Sequence, residues 1–352
     1  MKNSIITKSL IFGTLLTSLV AMAGNEDRSG SAGAPSLLVN PWSRSSAMGD
    51  AGVANTNGLE ATFTNIAGLA FTDKTQLKFN YTNWMGSANI AFNSAGFAQR
   101  ISDNTVIAVS IQSMNFGDID ITTVANPEGG IGTFSPRINV FNVGFARSFS
   151  SSIHAGVNMK VISESISNLK STGVAFDAGI RYVTGEKDHI KFGITLKNVG
   201  PTMKFKGDGI GKQATIENTD QTTSLQQRVQ NFELPSLLNI GASYDFIFNE
   251  NTKLIAAGSY TANSFSYDQY RAGLDFVMAK EKIAFNVKAG YVYEKYLFSS
   301  VNRSNALIGP SAGFSVDALV GKNKSALGLE YCARFAGIFG VIHTFGTTIS
   351  IK

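Results

Sequence analysis

The feature that most constrains the fold of this chain is a period-two alternation between apolar and small or polar residues, which runs from about Thr75 to the last residues. In the stretch 283–293, for example, the odd positions are all apolar, while Asn286 and Lys288 occupy even positions. Extended backbone places successive side chains on opposite faces, whereas a helix would scatter these apolar residues around its axis. The alternation therefore predicts β-strands that each have one apolar and one polar face.

Fourteen segments show this alternation, and many of them have the length of about 9–11 residues that a tilted strand needs to cross a bilayer. Their predicted bounds are 75–85, 89–101, 104–114, 137–149, 152–164, 172–183, 189–199, 236–248, 253–260, 269–277, 283–293, 311–319, 324–333 and 341–351. Closure into an outer-membrane barrel requires an even number of antiparallel strands. The number of segments therefore favours a closed barrel.

The predicted connections also differ in length. Those after even-numbered segments are short, whereas those after odd-numbered segments are often long, notably at 115–136, 200–235 and 294–310. Transmembrane barrels have short periplasmic turns and longer outer loops, and a soluble sandwich has no reason to sort its loops in this way. We therefore predict an all-β protein in the outer membrane, with a single antiparallel barrel of about 14 strands over 75–352 and both termini in the periplasm. A soluble periplasmic β-protein with its apolar faces inward is the alternative.

The first residues of the chain predict export. Lys2 and Lys8 form a positive region before a short apolar stretch at 9–20, and Ala21-Met22-Ala23 has the small-x-small pattern of a cleavage site. These features predict a secretory signal peptide over 1–23, with an uncleaved anchor as the alternative. Loss of Lys2 and Lys8 lowers the formal net charge from +5 to +3, which is too small a balance to indicate a nucleic-acid partner.

The sequence has no pattern that indicates catalysis. The three histidines are scattered at His154, His189 and His343, and neither a nucleophile elbow nor a zinc motif is present. The single Cys332 excludes an internal disulfide framework and a thiolate metal cluster. We therefore predict a non-enzymatic protein that needs no cofactor and no metal.

The polar faces of the predicted strands carry charges of both signs, which would face the lumen of a membrane barrel. The candidates for a polar network there are Lys160, Asp177, Arg181, Asp245, Arg271, Asp275, Lys288 and Glu330. Either these side chains pair with one another in a solvated interior, or they line a channel or a wall against which another part of the chain packs.

Residues 24–74, here called the N-terminal segment, lack the strand pattern. The stretch 24–35 is rich in Gly, Ser and charged residues and is predicted to be flexible. Small residues then dominate, which predicts a short helix and turns that pack closely in a tight space. The candidate packing residues are Arg44, Met48, Gly49, Gly52, Asn65 and Gly68.

Two motifs of this segment resemble the opening of the PorV/PorQ family of outer-membrane proteins. They are Arg44-Ser45-Ser46-Ala47-Met48-Gly49-Asp50-Ala51-Gly52-Val53-Ala54 and Asn65-Ile66-Ala67-Gly68-Leu69-Ala70. The family usually has Pro where this chain has Ile66. The stretches 156–164 and 175–182 are also similar to the family.

The resemblance implies a place in the outer membrane of a Bacteroidetes-type bacterium and a fold similar to that of FadL-type barrels. Because FadL-type barrels hold their N-terminal segment inside, we predict that the N-terminal segment of this chain plugs or caps the barrel lumen. It implies docking of a translocon barrel, or of secreted proteins with a C-terminal signal domain, during type IX secretion or surface attachment. PorV-like and PorQ-like roles stay open. The alternative function is FadL-like transport of hydrophobic small molecules. Outer-membrane lipid is a further expected partner, whereas nucleic acid and metal are not.

The long outer loops are the predicted recognition surfaces, because loops on a rigid scaffold are free to specialise. In the loop at 200–235, Met203, Phe205 and Ile210 are candidate contacts for a partner protein. The alternative is that these apolar side chains bind the loop to the rim of its own barrel.

Overall fold

The computed structural model describes residues 24–84, 90–215, 222–299, 301–320 and 325–352. The predicted signal peptide at 1–23 lies outside these ranges, as does most of the predicted connection at 320–323. No helix among the described residues is long and apolar enough to span a membrane.

Fourteen long β-strands make up most of the described chain, and their bounds follow the sequence prediction to within a few residues. They are β1 Thr75–Trp84, β2 Ile90–Ser102, β3 Thr105–Asn115, β4 Arg137–Ser148, β5 Ile153–Ile166, β6 Leu169–Thr184, β7 Ile190–Val199, β8 Leu237–Asn249, β9 Thr252–Asn263, β10 Gln269–Ala279, β11 Ile283–Glu294, β12 Gly309–Val320, β13 Ser325–Phe335 and β14 Val341–Ile351.

The sheet of these strands closes on itself. Each strand pairs antiparallel with its neighbours in the chain, and β1 also pairs with β14, where Phe79 stands opposite Thr347. Strand β7 joins β6 to β8, and Ile194 of β7 stands opposite Ile240 of β8. Closure gives every long strand two partners and leaves no free edge. The prediction of an all-β, antiparallel, fourteen-stranded barrel is confirmed.

The two faces of the barrel wall differ in polarity, as the alternation predicts. On β5, Val157, Met159 and Val161 are exposed on the outside, whereas Asn158 and Lys160 are buried on the inside. An apolar outer surface around a polar interior is the arrangement of a transmembrane barrel.

The two ends of the barrel carry different connections. Turns such as 103–104 and 250–251 follow even-numbered strands and lie at what we call the short-turn end. The connections 116–136, 200–236 and 295–308 lie at the opposite, long-loop end. Three short additions to the sheet structure occur there, namely Ile119–Asp120 with Thr133–Phe134, Gly211–Thr215 with Thr222–Gln226, and Phe205–Lys206 with β6.

The N-terminal segment runs through the inside of the barrel from the long-loop end to the short-turn end. At the long-loop end, the Asn25 amide donates a hydrogen bond to the Asn263 carbonyl oxygen at 3.2 Å. At the short-turn end, Leu59 and Leu69 pack against Ala98 of β2. The elements of the segment are the 3-10 turns Glu26–Arg28, Pro35–Leu38, Gly58–Thr62 and Ile66–Phe71, and the α-helix α1, Ser43–Ala47.

The two ends of the described chain lie at opposite ends of the barrel. The sequence predicts both termini at the periplasmic end, and Gly24, the first described residue, lies at the long-loop end against Asp268. Lys352 lies at the short-turn end, where its Nζ is 3.8 Å from the carboxylate of Asp73. The lengths of the connections determine only where β1 begins and β14 ends. They carry no information about a segment that precedes β1 and crosses the lumen.

Candidate functional site

Arg44 ties helix α1 to the barrel wall. Its Nε donates to Oε1 of Glu330 at 2.6 Å, and Nη1 and Nη2 donate to the two carboxylate oxygens of Asp317 at 3.1 and 2.6 Å. Arg44 therefore binds β12 and β13 at the same time. The planar guanidinium suits this position, because it presents several donors in a fixed plane to two carboxylates.

Glu330 receives three further donors, one from α1 itself and two from β1 and β14. Lys78 of β1 and Ser43 of α1 both contact its carboxylate, and Thr348 of β14 donates to Oε1 at 2.6 Å. The Glu330 side chain is fully buried, and that of Lys78 is 2% exposed. Removal of one partner from such a group leaves an uncompensated buried charge, which is strongly unfavourable.

Glu60 completes this group of charges. It accepts from Lys78 Nζ at 2.7 Å and from the Ser45 amide at 2.6 Å, so it also satisfies a free donor in the first turn of α1. We call Arg44, Glu60, Lys78, Asp317 and Glu330 the anchor cluster. Sequence reasoning missed three of its members. Lys78 lies on the polar face of β1 and could have been found from the alternation, whereas Glu60 lies in an irregular turn without periodicity.

Met48 and Gly49 touch the backbone of the wall directly. A Cβ on Gly290 of β11 would lie only 2.1 Å from the Gly49 nitrogen, and one on Gly273 of β10 would lie 2.7 Å from the Met48 carbonyl oxygen. Gly49 has a φ of 62°, a left-handed conformation that favours glycine. Small residues on both sides therefore allow the two backbones to approach closely.

Asn65 joins two parts of the segment to the wall. Its Nδ2 donates to the carbonyl oxygens of Val53 and Ile180 at 2.9 and 3.1 Å, and its Oδ1 accepts from the Ala67 amide at 3.1 Å. A Cβ on Gly179 of β6 would lie 2.1 Å from the same Oδ1. This position therefore depends on the shape of the asparagine amide and on a glycine opposite it.

Gly52 and Gly68 allow the segment to fold back on itself. A Cβ on Gly68 would lie 2.1 Å from the carbonyl oxygen of Thr56, and one on Gly52 would lie 2.2 Å from Thr56 Oγ1.

All six of the predicted packing residues lie inside the barrel, and they are Arg44, Met48, Gly49, Gly52, Asn65 and Gly68.

Arg181 of β6 binds the segment from the other side of the lumen. Its Nη1 donates to the Thr56 carbonyl oxygen at 3.2 Å and to Asn57 Oδ1 at 2.7 Å. Its guanidinium lies 4.2 Å from the centre of the Phe71 ring. Two of the eight predicted lumen residues, Arg181 and Glu330, thus form hydrogen bonds with the N-terminal segment.

The other predicted lumen residues contact partners within the wall and do not form one continuous network. The contacts are Lys160–Asp177 at 2.6 Å, Asp245–Lys191 at 2.7 Å, Asp275–Lys288, and Arg271 Nη2 to Gln269 Oε1 at 2.6 Å. Within the described ranges, no group of three or more His, Cys, Asp or Glu side chains is placed to hold a metal ion.

The first residues of the segment are tied to the long-loop end by partly exposed ion pairs. Arg28 binds Glu233 at 2.6 Å and lies 4.1 Å from the Phe265 ring centre. Lys295 binds Glu26 at 2.7 Å, and this hydrogen bonding raises the pKa of Lys295. The stretch 24–35, for which the sequence predicts flexibility, therefore makes specific contacts with the loops.

A cavity of about 360 Å³ lies between the N-terminal segment and the wall at the long-loop end. Leu38, Phe63 and Phe335 give it an apolar lining, and Lys197 and Arg271 add positive charge. Its size falls within the range of small-molecule sites.

The loop candidates do not behave alike. Met203 is 1% exposed and fills the space beside Gly173 of β6, where a Cβ would lie 2.4 Å from its Cγ. Phe205 and Ile210 are half-buried. The buried position of Met203 fits the alternative interpretation, in which this side chain binds the loop to its own barrel.

Several solved structures have a similar fold. The toluene transporter TodX of Pseudomonas putida matches with a TM-score of 0.55 and 12% identity, over 89% of this chain and 98% of that chain. The Ralstonia pickettii toluene transporter TbuX has a TM-score of 0.52 and 12% identity, over 88% and 97%. A Pseudomonas aeruginosa FadL homologue has a TM-score of 0.50 and 12% identity, over 88% and 96%. At these identities the likeness shows the fold alone. The comparison with curated proteins gives no match.

The sequence itself matches a known family over well over half of its length. The family described as "Type IX secretion system protein PorV" matches residues 22–263. This range holds the whole N-terminal segment, with both of its motifs, and strands β1 to β9. The match and the closed barrel agree with each other. The chain belongs to the PorV family and is an outer-membrane β-barrel with a FadL-like fold.

Proposed function

We propose that this protein is a non-enzymatic docking barrel, which binds a translocon barrel or cargo with a C-terminal signal domain in type IX secretion or surface attachment. The observation that carries the proposal is the N-terminal segment, which crosses the lumen from one end to the other. A barrel occupied by its own chain suits a binding scaffold better than an open pore. Membership of the PorV family supports the same role.

The proposed plug depends on the anchor cluster. Arg44 and Glu60 belong to the segment, whereas Lys78, Asp317 and Glu330 belong to the wall. Displacement of the segment would break ion pairs across this boundary, and each buried ion left unpaired costs on the order of several kcal/mol. We therefore expect the lumen to stay closed when no partner is bound.

Planar bilayers test the plug. The intact mature chain is expected to give no large steady conductance. A variant with Arg44→Gln and Glu60→Gln weakens the attachment from the segment side and should conduct more often than the wild type. Large steady conductance of the intact chain would contradict the plug and would leave the docking role to be tested separately.

Affinity purification from native outer membranes tests the docking role. We expect the tagged mature chain to retain a larger translocon barrel or signal-domain cargo, identified by mass spectrometry. An unrelated outer-membrane barrel with the same tag is the control. Retention of the same proteins by both baits would contradict the docking proposal.

The proposed orientation places the short-turn end in the periplasm and the long loops at the cell surface, as in other outer-membrane barrels. Ser29 and Ser151 are exposed at opposite ends, and the single native Cys332 is buried. On intact cells, an impermeant maleimide should label Ser29→Cys and leave Ser151→Cys unlabelled. The reverse result would invert the orientation.

Transport of hydrophobic small molecules is the second candidate function, and the cavity of about 360 Å³ favours it. Two proteins of similar fold are described as toluene transporters, and Phe63, Trp84 and Phe265 line the cavity. Uptake of labelled toluene that requires this chain and falls on Phe63→Ala would support transport. Equal uptake with and without the chain would contradict it.

A further inference from the structure

The outer surface of the barrel changes from apolar to polar and then to basic toward the long-loop end of β4, β5 and β6. Paired residues on neighbouring strands stand side by side, so outward-facing residues form rows around the wall. One such row is apolar, since Phe141 stands opposite Val161, and Val161 opposite Val174. This row belongs to the surface that faces lipid hydrocarbon.

The next outward row toward the long loops is polar and uncharged. Asn139 of β4 stands opposite Ser163 of β5, and Ser163 stands opposite Thr172 of β6. Amide and hydroxyl groups have no partners in hydrocarbon, which makes their burial there costly. The apolar belt of this part of the wall therefore ends between these two rows.

The row beyond it is basic. Arg137 stands opposite Ser165, Ser165 opposite Lys170, and Lys170 opposite Lys206 of the short strand Phe205–Lys206. Lys204 is also exposed, and it alternates with the inward-facing Met203. We call Arg137, Lys170, Lys204 and Lys206 the basic row.

Among the described residues, the basic row has no ion-pair partner in the protein, and all four side chains are exposed. The same holds for the nearby Asp208. Lys170 and Lys206 are direct cross-strand partners, and like charges in that relation destabilise a sheet. Their placement is more favourable if an external anion neutralises them.

We propose that the basic row binds the phosphate groups of phosphorylated glycolipids in the outer leaflet. The row lies just beyond the apolar belt, which is the level of the lipid head groups. Clusters of Lys and Arg at that level attract anionic lipids, and phosphate oxygens are strong acceptors for both side chains. Neighbouring strands are about 4.8 Å apart, so the row spans roughly 14 Å over four strands, wide enough for more than one phosphate.

This inference goes beyond the docking role and does not depend on it. It depends only on the position of the barrel in the outer membrane and on its orientation. A chain that fails to retain any secretion protein could still bind phosphorylated lipid, and the two results are measured separately.

Titration of the detergent-solubilised mature chain with diphosphorylated lipid A, followed by native mass spectrometry, tests the proposal. The test variant carries Arg137→Gln, Lys170→Gln, Lys204→Gln and Lys206→Gln. We expect its affinity to fall by about 10-fold or more, since each basic residue near an anionic surface adds to the attraction. Binding to the wild type should also weaken as salt rises.

The matched control removes the same number of charges from the other end of the barrel. It carries glutamine at four exposed positions near the short-turn end, namely Lys74, Lys187, Lys280 and Lys282. The lipid affinity of this control variant should equal that of the wild type. A second control is lipid A without phosphates, for which the wild type and the basic-row variant should have equal affinities.

Three results would overturn the proposal. The first is that the basic-row variant and the control variant bind lipid A with equal affinity. The second is that the wild type binds dephosphorylated lipid A as tightly as the phosphorylated form. The third is that the basic-row variant keeps its lipid affinity but loses a co-purified protein. The last result would assign the basic row to a protein interface. Thermal unfolding of each variant shows that the compared chains are folded.

Discussion

The N-terminal segment is held in two different ways along its length. At the long-loop end, the ion pairs of Arg28 with Glu233 and of Lys295 with Glu26 have side chains that are 34–55% exposed. In the anchor cluster, the side chains of Glu330 and Lys78 are 0% and 2% exposed. Exposed pairs contribute about 0–1 kcal/mol, whereas loss of a buried partner costs about 3–5 kcal/mol. The outer part can therefore detach while the middle of the segment stays in the lumen.

The largest loss of stability is expected when a buried ion pair of the anchor cluster is removed. Glu330→Gln keeps the size of the side chain but removes the charge that Arg44 and Lys78 share. We expect the free energy of unfolding to fall by about 3–5 kcal/mol, measured by denaturant titration in detergent micelles or lipid. The control is Glu186→Gln in an exposed turn, which should change the value by less than about 0.5 kcal/mol. Equal midpoints for Glu330→Gln and the wild type would show that the cluster does not hold the segment.

An intermediate loss of stability is expected where the segment is held by close backbone contact with the wall and not by ion pairs. In Gly290→Ala, the added methyl group would lie 2.1 Å from the Gly49 nitrogen, so either the segment or β11 must move. The expected loss is about 1–3 kcal/mol, as for overpacked interiors. In Gly258→Ala the nearest atom is the Arg271 carbonyl oxygen at 3.8 Å, so this variant should unfold like the wild type. If the two alanine variants cannot be told apart, the close contact is not as described.

The smallest effect is expected at the exposed end. Arg28→Gln removes one partly exposed ion pair, and a double-mutant cycle with Glu233→Gln should give a coupling of about 0.2–1 kcal/mol that vanishes at high salt. The lumen should stay closed in planar bilayers, because the anchor cluster is untouched. A coupling as large as the effect of Glu330→Gln would remove the distinction between the two parts of the segment.

The barrel could be predicted from the sequence because the period-two pattern is a local property of each strand. The bounds differ where tertiary pairing extends a strand. Strand β6 begins at Leu169, earlier than the predicted 172, because its first residues pair with β5 and with Phe205–Lys206. The basic row likewise becomes visible only when the register places Arg137 and Lys170 on either side of Ser165.

The course of the N-terminal segment could be predicted only in part. Small residues indicate close packing, and Arg44 and Asn65 were singled out by their motifs. The partners of these residues come from strands more than one hundred positions away, such as Glu330 and Ile180, and no local pattern connects them. Met203 shows the same difficulty, since an apolar loop residue looks alike in sequence whether it faces solvent or fills the gap beside Gly173.

Pairing of β1 with β14 has a consequence for biogenesis. The strand that completes the ring is the last of the fourteen to be synthesised, whereas the enclosed residues precede all fourteen. Once β1 and β14 have paired, the segment could enter only by threading lengthwise through a narrow lumen filled with side chains, and the charged Arg44 and Glu60 would have to pass its walls. This passage is avoided if the segment packs against the sheet before the barrel closes. The order of assembly is then a requirement of the fold.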